Sequence, residues 1–216
     1  MCGLARALEL VGDRWTLLLV RQLLTGPKRY VDLLSALHGM STNLLSDRLR
    51  RLEEDGLVAR RVLPPPAASS VYELTEFGAE VEPAILELMR WGSVLLADPA
   101  RSSEPADPDW PLFPLRWLAA RHPADVARLV TIRIADDAPL SVHVSGTTAH
   151  LVDPGSGAAD GSRADVIISA ASGGALGAVL GGHLPLAAAL AADQIRMEGD
   201  PSWFEGALQQ AYGAET

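Results

Sequence analysis

Residues 41–58, STNLLSDRLRRLEEDGLV, decide the fold of the first half of this chain. Leu45, Leu49 and Leu52 recur at intervals of four and three residues, so one face of a helix is apolar. Gly56 ends that helix, and its opening turn is short and polar. The segment carries both arginines and acids in a chain of formal net charge -9. Either these charges form ion pairs with one another on an exposed helix, or the polar opening turn of the helix binds a polyanion.

The segments on either side of this helix predict a winged helix-turn-helix. Apolar periodicity predicts three earlier helices, within residues 4–11, 13–26 and 29–39. After Gly56, the strand-forming runs LVARRV and SSVYELT flank a proline-rich tip and predict a β-hairpin. Four helices followed by a hairpin is the element order of a helix-turn-helix with a β-hairpin wing.

Four separated motifs over residues 2–97 occur together: GDRW (12–15), LLSDRL (44–49), YELT (72–75) and LELMRWG (86–92). In their order and spacing the chain resembles the HxlR-type winged helix-turn-helix transcription regulators. The resemblance implies a homodimeric repressor or activator that binds double-stranded DNA. Two-fold pairing would match the half-sites of a palindromic operator.

The physics of major-groove recognition supports the same assignment. The N-terminal residues of a recognition helix reach base edges, and Asn43 can make a two-point contact to adenine. Basic side chains such as Arg50 neutralise phosphates and so position the protein. The predicted DNA-binding residues are Lys28, Arg29, Ser41, Thr42, Asn43, Ser46, Arg48, Arg50 and Arg60.

Several of these residues have a structural alternative. Ser41 or Thr42 can serve as the N-cap of the helix, and Arg48 can pair with Glu53 or another acid. Arg60 and Arg61 alternate along a strand, so only one of them can face DNA. The wing tip, PPPAASS (64–70), carries no charge, which departs from the family's pattern and weakens the expected wing contact.

An apolar stripe after the wing predicts a dimer interface on a helix that Pro83 either kinks or confines to the residues following it. Its predicted members are Val81, Ile85, Leu88, Trp91 and Leu95. Cys2, the single cysteine, aligns with a residue that some family members use as a redox sensor. An unreactive thiol at a mobile chain end is the alternative.

The chain divides into domains by composition. We expect residues 1–97 to form the DNA-binding and dimerisation domain, 98–111 a proline- and acid-rich linker, and 112–216 a second domain. Most of the net negative charge lies in the second half. Residues 1–97 contain 11 Lys/Arg and 12 Asp/Glu, whereas residues 98–216 contain 7 Lys/Arg and 15 Asp/Glu. A near-neutral first half is compatible with nucleic acid, because steering depends on the local patch.

The second half predicts an α+β layer, with β-rich runs first and Gly- and Ala-rich helices after them. The run from ADVIIS to LPLAAALAADQIRMEGD resembles the sterol carrier protein family, and the resemblance implies an apolar cavity for a hydrophobic small-molecule effector. Close packing of the small residues without a cavity is equally open. The predicted lining is Leu176, Val179, Leu180, Leu186 and Leu190.

The sequence also bounds the function by what it lacks. It holds no nucleophile elbow, P-loop or GxGxxG motif, and its five histidines are scattered singly. We therefore predict no catalysis, metal or cofactor. No apolar run approaches a membrane span, so we expect a cytoplasmic protein without a membrane partner. The alternative function is a lipid carrier or scaffold whose winged helix serves protein interaction.

Overall fold

The computed structural model describes residues 2–64, 69–97, 107–135, 137–152 and 163–213. Its contacts divide the chain into two compact units, Met1–Ile85 and Leu86–Thr216. Residues 86–97 therefore belong with the second unit, whereas composition had grouped them with the first. Residues 98–106 of the predicted linker lie outside the described residues. Within the described ranges no helix is long and apolar enough to cross a membrane.

Four helices open the first unit: α1 (Gly3–Val11), α2 (Arg14–Leu23), α3 (Tyr30–Ala36) and α4 (Thr42–Glu54). Local capping explains two of their starts. The Asp13 carboxylate accepts a hydrogen bond from the Trp15 amide and caps α2, and the Ser41 hydroxyl accepts one from the Leu44 amide and caps α4. The four predicted helices are confirmed, and Ser41 is the N-cap of α4.

A three-stranded antiparallel sheet follows, with strand order β1-β3-β2. The strands are β1 (Lys28–Arg29), β2 (Val58–Val62) and β3 (Ser70–Leu74). The β2–β3 hairpin confirms the predicted wing, while β1 was not predicted because two residues show no periodicity. Residues 65–68, in the uncharged wing tip, lie outside the described residues.

The core of the first unit is built on the leucine face of α4. Leu45, Leu49 and Leu52 are at most 2% exposed, and Leu19 and Leu33 are fully buried on α2 and α3. Each buried leucine removes apolar surface from water, worth about 1.5–3 kcal/mol. This packing fixes the orientation of α4, so its polar residues lie on the opposite side.

The wing ends on a tight connection to α5 (Glu76–Ala79). The Thr75 hydroxyl donates to the Gly56 carbonyl (2.7 Å) and accepts from the Gly78 amide (3.0 Å), so one side chain caps α5 and ties it to the end of α4. The threonine of the YELT motif therefore has a structural role.

The second unit is an α+β fold, as predicted. Helix α6 (Glu82–Gly92) begins just before Pro83 and crosses from the first unit into the second, and a 3-10 turn (Ser93–Ala97) follows. The remaining elements are α7 (Leu112–Arg121), β4 (Ala124–Ile134), β5 (Leu140–Gly146), β6 (Thr148–Leu151), β7 (Val166–Ala170), α8 (Gly173–Leu180), α9 (Leu186–Ala191), β8 (Ile195–Gly199) and α10 (Ser202–Tyr212).

These strands form one sheet in the order β6-β5-β4-β7-β8. Neighbours are antiparallel except β4 and β7, which run parallel. Val130, Val142 and Ile168 are fully buried, and α7 and α10 contribute the large buried rings Phe113 and Phe204. Helix α7 was not predicted from the sequence, since its buried residues lie all round it and show no amphipathic stripe.

Gly78 tests the packing of the wing against α5. A Cβ atom at this buried position would lie 2.0 Å from the Leu57 carbonyl oxygen, whose backbone cannot move without breaking the hairpin. We expect Gly78→Ala to destabilise the first unit by about 2 kcal/mol or more. Gly3→Ala is the matched control, because a Cβ there meets nothing within 4 Å. Urea unfolding midpoints measure both, and equal midpoints would contradict the packing described.

Candidate nucleic-acid interface and ligand cleft

The opening turn of α4 presents exposed polar side chains. Ser41, Thr42 and Asn43 are all exposed. Ser41 caps the helix with its hydroxyl, 3.3 Å from the Leu44 amide, so its side-chain oxygen is already used. Within the described residues the Asn43 amide has no hydrogen-bond partner. Among the described residues, the side chains of Asn43 and Thr42 both lack a partner, and the Asn43 amide is the larger of the two groups free to contact a ligand.

Tyr30 holds the opening turn in place. Its hydroxyl donates to the Thr42 carbonyl (2.7 Å) and lies 3.1 Å from the Ser46 hydroxyl. These two contacts join the start of α3 to the first turns of α4. The contact joins residues 12 positions apart, so no local pattern in the sequence predicts it. Ser46, a predicted DNA contact, is engaged by this tyrosine.

The exposed arginines of α4 are paired within the helix. Arg50 contacts Asp47 and Glu54, each at 2.8 Å, and Arg51 contacts Asp47 at 3.1 Å. The hydrogen bond that Arg50 donates lowers the pKa of Asp47, and the hydrogen bonds that Glu54 and Asp47 accept from Arg50 raise the pKa of Arg50. Exposed pairs of this kind contribute little to stability, so a phosphate can displace them.

Arg48 has a different environment. Its side chain is only 20% exposed, and its guanidinium pairs with Asp13 at 2.9 Å. Asp13 also caps α2, so this pair connects the N-terminus of α2 to the middle of α4. Of the two roles considered for Arg48, the structure supports the structural pairing, with Asp13 as the acid in place of Glu53.

A row of residues across the three-stranded sheet carries two cations. Lys28 and Arg60 both lie opposite Tyr72, so the three side chains share one face of the sheet. The Arg60 guanidinium is 6.0 Å from the Tyr72 ring centroid and donates to the Ser70 hydroxyl. Within the described residues neither cation forms an ion pair with an acid. We call Lys28, Tyr72 and Arg60 the basic row.

The other basic side chains of this sheet are neutralised. Arg29 forms a two-point pair with Asp32, which raises the pKa of Arg29 through the hydrogen bond and helps to cap α3. Arg61 pairs with Glu73 at 2.8 Å. Arg60 is therefore the member of the Arg60 and Arg61 couple that shares a face with Lys28.

The predicted dimer residues fall into two groups. Ile85 is 4% exposed, so it is a core residue of its own unit and is not available to contact a partner subunit. Val81 is half-buried. Leu88, Trp91 and Leu95 are 50%, 72% and 51% exposed. We call these three residues the exposed stripe. Cys2 is an exposed free thiol at the start of α1.

The predicted ligand lining only partly meets the cleft that the second unit contains. Leu176 and Val179 are buried, Leu186 is half-buried and Leu190 is exposed. A cleft of about 60 Å³ lies against Leu180 and its neighbours in α8, and it is otherwise bounded by α6, α7, Tyr212 and the residues Ser93 and Trp110 next to these helices. Sites for drug-sized ligands occupy roughly 300–1,000 Å³, so this cleft is too small for a sterol or a long lipid chain.

Two histidines that are separated in sequence meet in the sheet. His143 on β5 lies directly opposite His150 on β6, and both are exposed. The two histidines are scattered in the sequence, as noted, and only the register of the two strands places them opposite one another. The hairpin turn at Gly146 was the sequence signal that could have joined them. Among the described residues no group of three His, Cys, Asp or Glu side chains could hold a metal ion.

The pairing of Arg48 with Asp13 gives a testable outcome. We expect a double-mutant cycle with Arg48→Met and Asp13→Asn to return a coupling free energy of about 1 kcal/mol, because one partner is largely buried. Asn keeps the capping oxygen for the Trp15 amide, so the cycle isolates the ion pair. Urea denaturation measures it, and additive effects of the two changes would rule out the structural pairing.

Comparisons with known proteins identify the first unit. The HxlR-like helix-turn-helix family model matches residues 10–99. An HTH-type transcriptional regulator of Synechocystis is 36% identical over 93 residues, which are 43% of this chain and 69% of that protein. YvaP of Bacillus subtilis, also named an HTH-type transcriptional regulator, is 35% identical over 41% of this chain and 82% of its own length.

A third relative, the HTH-type transcriptional regulator YodB of Bacillus subtilis, is 34% identical over 39% of this chain and 76% of its own length. The solved structure of reduced YodB aligns with 50% of this chain and 99% of its own at 31% identity and a TM-score of 0.40. These matches cover the first unit and the residues that follow it. The chain belongs to the HxlR-like helix-turn-helix family of transcriptional regulators.

Proposed function

We propose that the protein is a homodimeric repressor that reads a palindromic DNA operator through the opening turn of α4 and responds to a small molecule bound in its second unit. The observation that carries this proposal is the exposed, unpartnered Asn43 on a turn that Tyr30 holds in place. A base contact needs both features, since a free side chain on a mobile turn loses conformational entropy on binding.

The division of roles follows from which groups are free. Asn43 reads a base, with Thr42 beside it at the same exposed turn. The basic row supplies phosphate contacts through Lys28 and Arg60, which have no acidic partner to release within the part of the chain that the structure describes. Arg50 exchanges its two carboxylate partners for a phosphate, which costs little at an exposed site.

The exposed stripe supports dimerisation through α6. Four large apolar side chains lie exposed within residues 88–95, namely the exposed stripe and Val94, a concentration that monomeric surfaces seldom show. A two-fold axis at this stripe would bury the same residues from both subunits. Helix α1 also exposes two leucines, Leu4 and Leu8, and we propose that they extend the same interface.

The sensing role belongs to the second unit, whose resemblance to sterol carrier proteins motivates it. The cleft of about 60 Å³ supports a small ligand and not a sterol. Residues of α6 belong to both units. A ligand that contacts α6 therefore contacts the helix on which Leu88 and Trp91 of the exposed stripe lie. A ligand changes DNA affinity only through different affinity for two conformations of the dimer.

A carrier or scaffold protein, with its winged helix as a protein-interaction module, is the second candidate. The intrahelical pairing of Arg50 and Arg51 favours it, because α4 has little unneutralised positive charge. The small cleft argues against lipid transport. The DNA-binding measurement below separates the two functions.

Two substitutions in α4 are expected to act differently on DNA. Asn43→Ala removes a base contact, so affinity for the operator should fall by about 1–3 kcal/mol and preference should relax at one base pair. Arg50→Gln should weaken all sequences alike and reduce the salt dependence of binding. Gel shifts on DNA from upstream of the gene, over a salt series, measure both effects.

Glu53→Gln is the control for these changes, since Glu53 is exposed on α4 outside the opening turn. If Asn43→Ala and Arg50→Gln both bind as wild type does, α4 is not the reading helix. If the wild-type protein binds no DNA at all at low salt, the scaffold function replaces the regulator.

The dimer interface is tested at the exposed stripe. Leu88→Glu places two carboxylates near the proposed two-fold axis and costs at least about 2 kcal/mol of association. This corresponds to about a thirtyfold weaker dimer. Val126→Glu, at an equally exposed apolar residue of β4, should leave association unchanged. Sedimentation velocity over a concentration series measures the dissociation constants, and a Leu88→Glu dimer as tight as wild type contradicts the assignment.

A further inference from the structure

One carboxylate and two guanidinium groups meet on the second unit. Glu87 Oε1 accepts from Trp117 Nε1 (3.1 Å) and from Arg121 Nη2, and Glu87 Oε2 accepts from Arg90 Nε (3.1 Å). We call Glu87, Arg90, Trp117 and Arg121 the Glu87 cluster. It joins α6 to α7 through side chains that lie 30 or more residues apart in sequence.

The cluster carries an excess positive charge. Hydrogen bonds from Trp117 and Arg90 lower the pKa of Glu87, so its carboxylate is ionised and neutralises only one of the two arginines. Arg90 offers both of its terminal nitrogens beyond the Nε contact to Glu87. Both arginine side chains are somewhat under half exposed, so an anion from solvent can reach them.

Aromatic rings fix the positions of these arginines. The Arg121 guanidinium lies 4.1 Å from the Trp117 ring centroid and the Arg90 guanidinium 5.7 Å from it. Trp117 also stacks on Tyr212 at 5.7 Å, and the Tyr212 hydroxyl donates to the Leu180 carbonyl. Burial raises the pKa of Tyr212 to about 12, so this ring adds no negative charge near the arginines.

Two concave regions adjoin at these rings. An open depression of about 500 Å³ is lined by the Glu87 cluster with Gln210, Ala211 and Tyr212. The apolar cleft of about 60 Å³ shares Arg90, Trp117 and Tyr212 with it and continues to Leu86, Met89, Phe113 and Leu180. A cationic entrance therefore opens beside a short apolar recess.

We propose that this site binds a small organic carboxylate, with the carboxylate on Arg90 and Arg121 and a short alkyl or aryl group in the apolar cleft. Two guanidinium groups beside one internal acid are complementary to a single added anion. The cleft accommodates an apolar group smaller than a lipid chain. The proposal specifies the ligand class for the sensing role proposed above. Binding is measured without DNA, so it succeeds or fails separately from that role.

The experiment is calorimetric titration of the full chain with straight-chain carboxylates from acetate to octanoate. Each methylene that enters the cleft should tighten binding by about fourfold. The gain should stop at the chain length that fills the cleft. The straight-chain alcohols of matched length are the neutral controls, and they should bind at least about tenfold more weakly because they lack the charge-assisted hydrogen bonds.

Single substitutions with matched controls identify which residues bind the carboxylate and which line the apolar cleft. Arg121→Gln should weaken the best carboxylate by about tenfold or more, and Arg133→Gln, at an exposed arginine of β4, should not change it. Leu180→Phe should shorten the chain length at which affinity stops rising. Met89→Phe, at a half-buried position of the same cleft, tests the same point if Leu180→Phe does not fold.

The outcomes are separable. Chain-length dependence together with the specific loss in Arg121→Gln supports the site. Equal binding of alcohols and carboxylates, equal loss in Arg133→Gln, or no binding of any carboxylate at millimolar concentration overturns it. If carboxylates bind without changing DNA affinity, the binding site is supported and its proposed regulatory role is contradicted.

Discussion

The burial of three leucines on one side of α4 is the constraint on which the rest of the first unit depends. Leu45, Leu49 and Leu52 can all be buried only if the helix presents one face to the core. That orientation turns the opening turn and the arginines outward. The Ser41 cap and the Tyr30 hydroxyl then fix the first turn, where a small displacement would move a base contact out of reach.

The same face explains how an acidic protein can bind DNA. Arg50 and Arg51 of α4 are held by acids on the same helix, and Arg48 is held by Asp13, so α4 presents little net charge. Among the residues that the structure describes, the two cations of the basic row have no acidic partner. This arrangement predicts modest non-specific affinity, because few phosphates are neutralised without first releasing a carboxylate. On the proposed function, sequence specificity would then depend on the polar opening turn more than on charge.

Local patterns were sufficient for the helices and the hairpin of the first unit. Leucine spacing, Ser41 and Gly56 each act within a few residues and are visible in the sequence. The contact of Arg48 with Asp13 spans 35 residues and that of Glu87 with Trp117 spans 30, so no local pattern predicts either. The predicted ligand residues were drawn from α8 and α9 alone, whereas the cleft is formed mainly by α6 and α7 around Leu180. Helix α7 was not recognised, so that site could not be assembled from sequence.

The central claim is that the opening turn of α4 and the basic row contact DNA while the sheet of the second unit does not. Amide hydrogen exchange of the full chain, with and without duplex DNA from upstream of its gene, tests this claim most directly. The account predicts slower exchange in residues 41–50 and 28–30, with no change in residues 124–152. Slower exchange confined to the second unit, or tight DNA binding that leaves residues 41–50 unchanged, would contradict it.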